Sequence, residues 1–178
     1  GELFRESFSY LLAAQEDFPS LDTKHFGTLA GNVDVLPKAT GPKLPLLVTG
    51  NSRQSSDWIA ENSDGWIYYL RDPRTHKDVI TQWRERIAQY AAHDKPFMQA
   101  MYVVLDSDPG AMPRPIQLGF RTGVRFLVEF LRLLRDAGVN HVALNLRFNT
   151  QDMEKTLETL ASEVLPNFHR TIAQNQTA

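Results

Sequence analysis

Apolar residues recur along this chain with two alternating periods, and the alternation predicts a βα repeat. Phe4, Phe8, Leu11 and Leu12 share one face at helical spacing, with Glu2, Arg5, Glu6 and Gln15 elsewhere, so residues 2–16 read as an amphipathic helix ending before Pro19. Residues 22–42 are rich in Gly, Pro and Thr, and Gly31-Asn32 between His25–Leu29 and Val33–Leu36 suggests a short hairpin. Leu44–Thr49, an apolar run bounded by Pro42, Pro45 and Gly50, reads as a buried strand, followed by a helix over Ser52–Asn62.

The alternation then repeats. Asp64-Gly65 punctuates before a strand over Trp66–Leu70, and Ile80, Trp83, Ile87 and Tyr90 mark the next helix. Ala100–Asp106 is a third strand, and a Pro-rich loop over Asp108–Pro115 leads to a helix on which Val124, Leu127, Val128, Leu131 and Leu134 share a face. Gly138 is placed as the C-cap of that helix. Val142–Leu146 is a fourth strand. Met153, Leu157, Leu160 and Val164 form a last amphipathic helix, begun with help from Asp152 and stopped by Pro166.

Strands separated by helices imply parallel βαβ units, because parallel neighbours need a crossover long enough to return the chain to the starting edge. Four such units are about half of a TIM barrel, which typically takes about 250 residues. The expected fold class is therefore α/β: an open α/β layer, a partial barrel, or a barrel completed by another chain. The expected organisation is a single domain over 1–178, with an N-terminal helix over 1–21, an irregular or hairpin segment over 22–43, βα repeats over 44–165 and a polar tail over 166–178.

Composition narrows the chemistry. Of 178 residues, 42% are hydrophobic and 22% charged, the balance of a globular chain with one sizeable core. A formal net charge of -2 with no basic block argues against nucleic acid as a partner. The absence of cysteine rules out disulfides and thiolate ligands and fits a reducing compartment, so the cytoplasm is the expected location. Apolar stretches such as Leu44–Val48 and Met101–Leu105 fall far short of the roughly 18 residues of a membrane span. The start, Gly1-Glu2-Leu3-Phe4-Arg5-Glu6, is charged where a secretory signal would be apolar, and it lacks an initiator methionine, which suggests a truncated or processed chain.

One stretch carries candidate chemistry. Leu46 to Trp58 runs from a buried strand through the Gly50 turn into a helix with hydroxyls at its start. The first amides of a helix have no intrahelical acceptor and sit at its positive end, so a phosphate is favoured there, with Ser52 and Ser55 placed to face one ligand. A plain N-cap by Ser or Asn accounts for the same residues with no ligand at all. His141 opens a strand at the face away from barrel chemistry and reads as structural. His25, His76, His93 and His169 show no metal-ligand spacing, so no metal is expected. Asp106 and Asp108, after the third strand, are accounted for by a loop-start turn as well as by a catalytic edge.

Gly50-Asn51-Ser52 after a strand, then Ser55, Asp57-Trp58-Ile59-Ala60-Glu61 and Asp64-Gly65-Trp66, resembles the bacterial luciferase-like flavin monooxygenase family. Pro115–Gly123 and Ala137–Asn145 look like its luciferase-type oxidoreductase subgroup. The resemblance spans nearly the whole chain, being weakest before Leu36 and after His169, and implies the C-terminal half of that family's barrel. It implies that the loop around Gly50 holds the phosphate of FMN through Asn51, Ser52, Arg53 and Ser55, although the sequence does not separate an ordinary flavin from a deazaflavin. Asn51 stands where luciferase has an acidic residue that contributes its backbone, and Ser55 replaces a threonine while keeping the hydroxyl.

Further roles follow from that resemblance. Trp66 and Tyr69, on the next strand, are candidates to border the flavin ring, against core packing as the alternative. Arg121 is a candidate for a substrate anion, against a solvated arginine near a helix start. The family receives reduced flavin, forms a C4a-peroxide with oxygen and directs it at an organic substrate, so the parent enzyme is expected to be a flavin-dependent oxidoreductase. Much of that family's substrate pocket lies in the other half of its barrel, so this chain alone is expected to bind flavin weakly and to form a homodimer or pair with an N-terminal half. Two other readings stand beside this one: a non-catalytic half-barrel binding or dimerisation module, and an unrelated α/β phosphate-binding enzyme.

Overall fold

The computed structural model describes residues 1–69, 73–91 and 93–168. Helix α1 (Glu2–Ala13) and a hairpin of β1 (Ser20–Thr23) and β2 (Gly27–Ala30) precede the repeats. These are β3 (Leu47–Thr49), α2 (Ser56–Asn62), β4 (Gly65–Tyr69), α3 (Pro73–Tyr90), β5 (Phe97–Leu105), the strands β6 (Arg114–Ile116) and β7 (Gly119–Thr122), α4 (Val124–Ala137), β8 (His141–Asn145) and α5 (Met153–Thr159). Among the described residues no helix is long and apolar enough to cross a membrane.

Strands β3, β4, β5 and β8 are parallel neighbours in that spatial order, as βα repeats require. Strand β5 is long enough to serve three partners. The carbonyl of Pro96 accepts from Trp66, while the amides of Tyr102 and Asp106 donate to Leu118 and Thr122. All three are even-numbered, so β4 and β7 share one edge of β5, with β7 lying past the C-terminal end of β4. The carbonyl of Phe97 accepts from Asn140, which puts β8 on the opposite edge. The antiparallel β6–β7 hairpin therefore extends the C-terminal rim of the sheet. Gly119 is required there, since a Cβ would sit 1.8 Å from the carbonyl oxygen of Tyr102.

The two faces of the sheet differ sharply. Val48, Trp66, Phe97, Met101, Val103 and Leu105 point toward α2, α3 and α4 and are buried with Ile59, Ile80, Trp83, Leu127 and Leu131. Alternation places Thr49, Ile67, Tyr69, Met98, Ala100, Tyr102, Ala143 and Asn145 on the other, concave face, which no helix of the described chain covers. Val104 is buried on this side, outside the helix-facing cluster. The fold is α/β, with a curled, parallel-rich sheet backed by helices, the arrangement of a partial TIM barrel.

Several expected boundaries move, each for a local reason. The first helix ends at Ala13, and Ala14–Glu16 continue it only as turns. The hairpin turn falls at Lys24–Phe26 rather than at Gly31-Asn32, because the amide and ring of His25 are both held by Glu6 of α1, at 2.9 Å each. Strand β3 starts at Leu47 because the amide of Leu46 is taken by the Asp64 carboxylate at 2.8 Å. Part of the expected Pro-rich loop is strand: Arg114–Ile116 pairs with β7. Strand β5 begins at Phe97, three residues earlier than its apolar run suggests, and β8 spans His141–Asn145. The last helix is regular only to Thr159, then widens into a π turn over Leu160–Val164 that buries both of its ends, and Pro166 lies in a closing 3-10 turn, Leu165–Asn167. Gly138 caps α4 in the left-handed region, and the Asp152 side chain accepts from the Lys155 amide to cap α5. The expected end of the β4 run at Leu70 and the polar tail from His169 lie outside the described residues.

Candidate active site at the C-terminal rim

The loop after β3 begins with a glycine that only glycine can supply. Gly50 has φ +57, its amide donates to the Ile67 carbonyl at 2.8 Å, and a Cβ would meet Tyr69 Cε2 at 2.9 Å. The ring of Tyr69, 41% exposed on the concave face, thus lies directly against the Gly50 backbone. Ser52 and Arg53 follow with φ of 46° and 56°, a left-handed pair that side-chain-bearing residues seldom adopt.

This conformation changes the expected helix start. The left-handed pair cannot belong to a right-handed helix, so α2 begins at Ser56 and Ser55 is its N-cap, accepting from the Trp58 amide at 3.2 Å. Ser52 and Ser55 therefore do not share a helical turn. The Ser52 hydroxyl donates back to the Thr49 carbonyl at 3.2 Å. The capping role anticipated for these hydroxyls falls on Ser55, whose own proton is not used in that bond.

The backbone is the more available part of the loop. The amide of Gln54 donates to the Asn51 carbonyl at 2.7 Å, whereas those of Asn51, Ser52, Arg53 and Ser55 have no acceptor among the described residues. Asn51, Arg53 and Ser55 are exposed. Four free amides, one hydroxyl proton and the Arg53 guanidinium on a tight turn form a cradle whose chemistry suits an anion.

Gln54 holds the loop from behind and was not singled out by the sequence. It is buried, accepts from Arg5 Nε at 2.7 Å, and donates to the carbonyls of Gly1 at 2.9 Å and Ser52 at 3.2 Å. Phe4 and Phe8 of α1 pack edge-on against Trp58, and Arg5 lies over the same ring at 5.5 Å. The first helix is thereby docked onto the loop and α2. No local signal marks Gln54, because two partners of its side chain, Arg5 and Gly1, lie about fifty residues away in sequence.

The other candidates separate. Trp66 is 5% exposed and faces the helices, packed with Tyr68, Trp83 and Phe97, and its Nε1 donates to the Gly50 carbonyl at 2.7 Å. It supports the turn from the core and cannot border a ring on the concave face. Arg121 lies on β7, three residues before α4 begins. Its register with Val104 and the opposite orientation of Phe120, which packs on Phe126 and Phe130 of α4, set Arg121 on the concave side. Asp106 and Asp108 close the expected loop-start turn, accepting from the amides of Asp108 and Gly110 at 3.2 Å and 2.8 Å. Tyr102 and Phe148, also unanticipated, meet with ring centroids 4.8 Å apart where the β8 loop folds back over the concave face.

The histidines stand apart from this rim. His76 is buried on the helix-facing side between Tyr68 and Phe97, and His141 is exposed at the first position of β8. Among the described residues no three His, Asp or Glu side chains are grouped to hold a metal ion.

No family model matches the chain. No curated protein matches it. Solved structures do. An F420-dependent secondary alcohol dehydrogenase, in complex with an F420-acetone adduct, superposes with a TM-score of 0.69 at 15% identity, covering 93% of this chain and 61% of that one. The coenzyme F420-dependent tetrahydromethanopterin reductase of Methanopyrus kandleri gives a TM-score of 0.73 at 13% identity, covering 94% of this chain and 63% of that one. The chain shares the fold of these two proteins over about three fifths of their length, as part of a TIM barrel. At this identity the likeness establishes the fold, and the chain spans about three fifths of the length of either neighbour. In such a barrel the C-terminal rim, where the Gly50 loop, Tyr69 and Arg121 lie, is the side on which chemistry takes place.

Proposed function

We propose that this chain is part of a luciferase-like oxidoreductase that uses a flavin or deazaflavin, and that Gly50–Ser56 holds the cofactor's phosphate. The observation that carries this reading is the turn itself. Gly50 and the left-handed Ser52-Arg53 pair leave four amides without acceptors at the C-terminal rim, and the open ring of Tyr69 lies beside them. In this reading the amides of Asn51, Ser52, Arg53 and Ser55 donate to phosphate oxygens. The Arg53 guanidinium neutralises charge, and Tyr69 borders the ring system. The bound cofactor supplies the redox chemistry, and the chain positions it and limits its access to water.

Both solved neighbours are F420-dependent by description, whereas the sequence resemblance points to FMN and monooxygenation. A 5-deazaflavin and FMN share a tricyclic ring and a phosphate, and the Gly50 loop addresses the phosphate. A fluorescence titration with FMN and with F420 in parallel separates them. Saturable quenching by one cofactor, weakened about tenfold or more in Asn51→Pro, which removes a donor amide, supports the reading. Absence of binding by either cofactor, to the chain and to its complex with whatever closes the concave face, overturns it.

The concave face, with Tyr69, Tyr102 and Asn145 uncovered by any helix, is where further polypeptide completes the pocket, as a second copy or as the additional length that the neighbours carry. In this proposal the isolated chain binds cofactor weakly and does not turn over, and the organic substrate enters from the C-terminal rim.

A further inference from the structure

The β6–β7 hairpin places two arginines opposite each other. Arg114 and Arg121 are register partners in an antiparallel pair, so their side chains leave the same face with Cβ atoms about 4.5–5.5 Å apart. That face is the concave one, since Phe120, which precedes Arg121 on β7 and so points the other way, packs on α4. Like charges directly across a ladder repel and destabilise the pair. Neither arginine makes an ion pair or a side-chain hydrogen bond among the described residues. The ion-paired arginines Arg84, Arg86, Arg132 and Arg135 all belong to α3 and α4. The Asp106 carboxylate, just past the end of β5, accepts from the Asp108 amide. The hairpin is not free to relax the repulsion by sliding, because Gly119 is locked against Tyr102 and Thr122 donates back to the Ala111 carbonyl.

We propose that Arg114 and Arg121 form an anion-binding fork for a carboxylate or phosphate group of the substrate. Two guanidinium groups on one face present paired N–H donors to an oxyanion, and the attraction of each to a bound anion offsets their mutual repulsion. Arg121 is half-buried beside Val104 and supplies the oriented donors, while the exposed Arg114 closes over the anion from the outer strand. Assignment of that anion to a substrate rests on the oxidoreductase reading above. The fork itself does not.

The test is a titration of the arginine Nε–Hε signals of the 15N-labelled chain with inorganic phosphate and, separately, with acetate. The fork predicts that Arg114 and Arg121 shift together on one saturating curve for at least one anion, and the two titrations identify which oxyanion is preferred. Arg121→Gln abolishes the Arg114 shift, Arg121→Lys weakens it several-fold because the planar fork is lost, and Arg135→Gln leaves it unchanged. In anion-free buffer Arg114→Thr raises the melting temperature by about 1–3 °C, because a like-charge pair is removed. Shifts that are linear in anion concentration and match those of Arg125 overturn the proposal, as does an Arg114 response that survives Arg121→Gln. Ser55→Ala serves as the separating control: it touches the cofactor loop and leaves the fork titration intact, so loss of cofactor binding and loss of the fork are read independently.

Discussion

Arg5 of the first helix and Gln54 of the Gly50 loop are joined by a 2.7 Å hydrogen bond, although they lie forty-nine positions apart in sequence. Gln54 in turn reaches Gly1 and Ser52, so one buried amide ties the left-handed turn to α1. The turn costs conformational energy at Ser52 and Arg53, and the tie offsets that cost. Gln54→Ala removes the acceptor of Arg5 and the donor to the Ser52 carbonyl and is expected to destabilise the chain by about 1–3 kcal/mol. Urea denaturation measures the loss. Hydrogen exchange should quicken more at Ser52 and Arg53 than in α3, and equal quickening throughout would show that Gln54 is not specific to the loop.

Gly50 makes a second, separable demand. Gly50→Ala places a Cβ against the Tyr69 ring and forces an alanine to φ +57, with an expected cost of about 1–3 kcal/mol. Adding Tyr69→Ala removes the clash but not the backbone penalty, so the double variant should be less destabilised than the sum of the two single changes. Thermal melts of the four proteins decide this. Strict additivity would mean that the ring is not what excludes a side chain at position 50.

The repeats were legible because their signals are local or periodic. Val48, Trp66, Met101 and Val103 lie on short apolar runs, and Val124, Leu127, Leu131 and Leu134 keep helical spacing, so burial could be read from spacing alone. Caps at Gly138 and Asp152 followed from residue chemistry. The rim was harder to read. Ser52 and Arg53 look like ordinary helix-start residues, yet both are left-handed in a turn that Gln54 holds through the Ser52 carbonyl. Arg114-Pro115 looks like loop, and it becomes strand because β7 pairs with the part of β5 that β4 leaves free. Trp66 and Tyr69 differ by an odd number of positions, so strand alternation already assigned them opposite faces. Which face was concave depended on where α3 packs.

His76 gives the stability a pH signature. Its ring is buried against Phe97 and Tyr68, and neither nitrogen finds a hydrogen-bond partner among the described residues. Burial lowers its pKa below the ordinary 6.5, and the neighbouring Gln99 amide opposes the shift without reaching bonding geometry. A depressed folded pKa means that the unfolded chain binds the proton first. The contribution is therefore complete above about pH 6.5 and is lost progressively as the pH falls toward the folded value. Melting temperatures measured from pH 7.5 down to 5 should decline, and His76→Phe should flatten the decline. An unchanged slope in that variant would place the pH dependence elsewhere.

Arg84 sets the opposite end of the barrel. Its guanidinium donates to the Asp94 carboxylate at 2.6 Å, to the carbonyls of Lys95 at 2.8 Å and Gly138 at 3.1 Å, and to Asn140 Oδ1 at 2.6 Å, which also accepts from the Phe97 amide at 2.9 Å. One side chain of α3 thus holds the entry to β5 against the turn between α4 and β8, at the N-terminal face where barrels are built for stability. Arg84→Ala should cost about 2–4 kcal/mol in chemical denaturation, and Arg84→Lys should recover little of it, because a point charge cannot reach four acceptors at once. Combined with Asn140→Ala, the loss should fall short of additive by about 1 kcal/mol or more, since the two single changes remove the same bond. Cofactor titrations below the unfolding transition should be unaffected, because the Gly50 loop and the arginine fork lie at the other rim. A lysine variant as stable as the parent would refute the network, and an altered cofactor affinity would mean that the two ends of the strands are coupled.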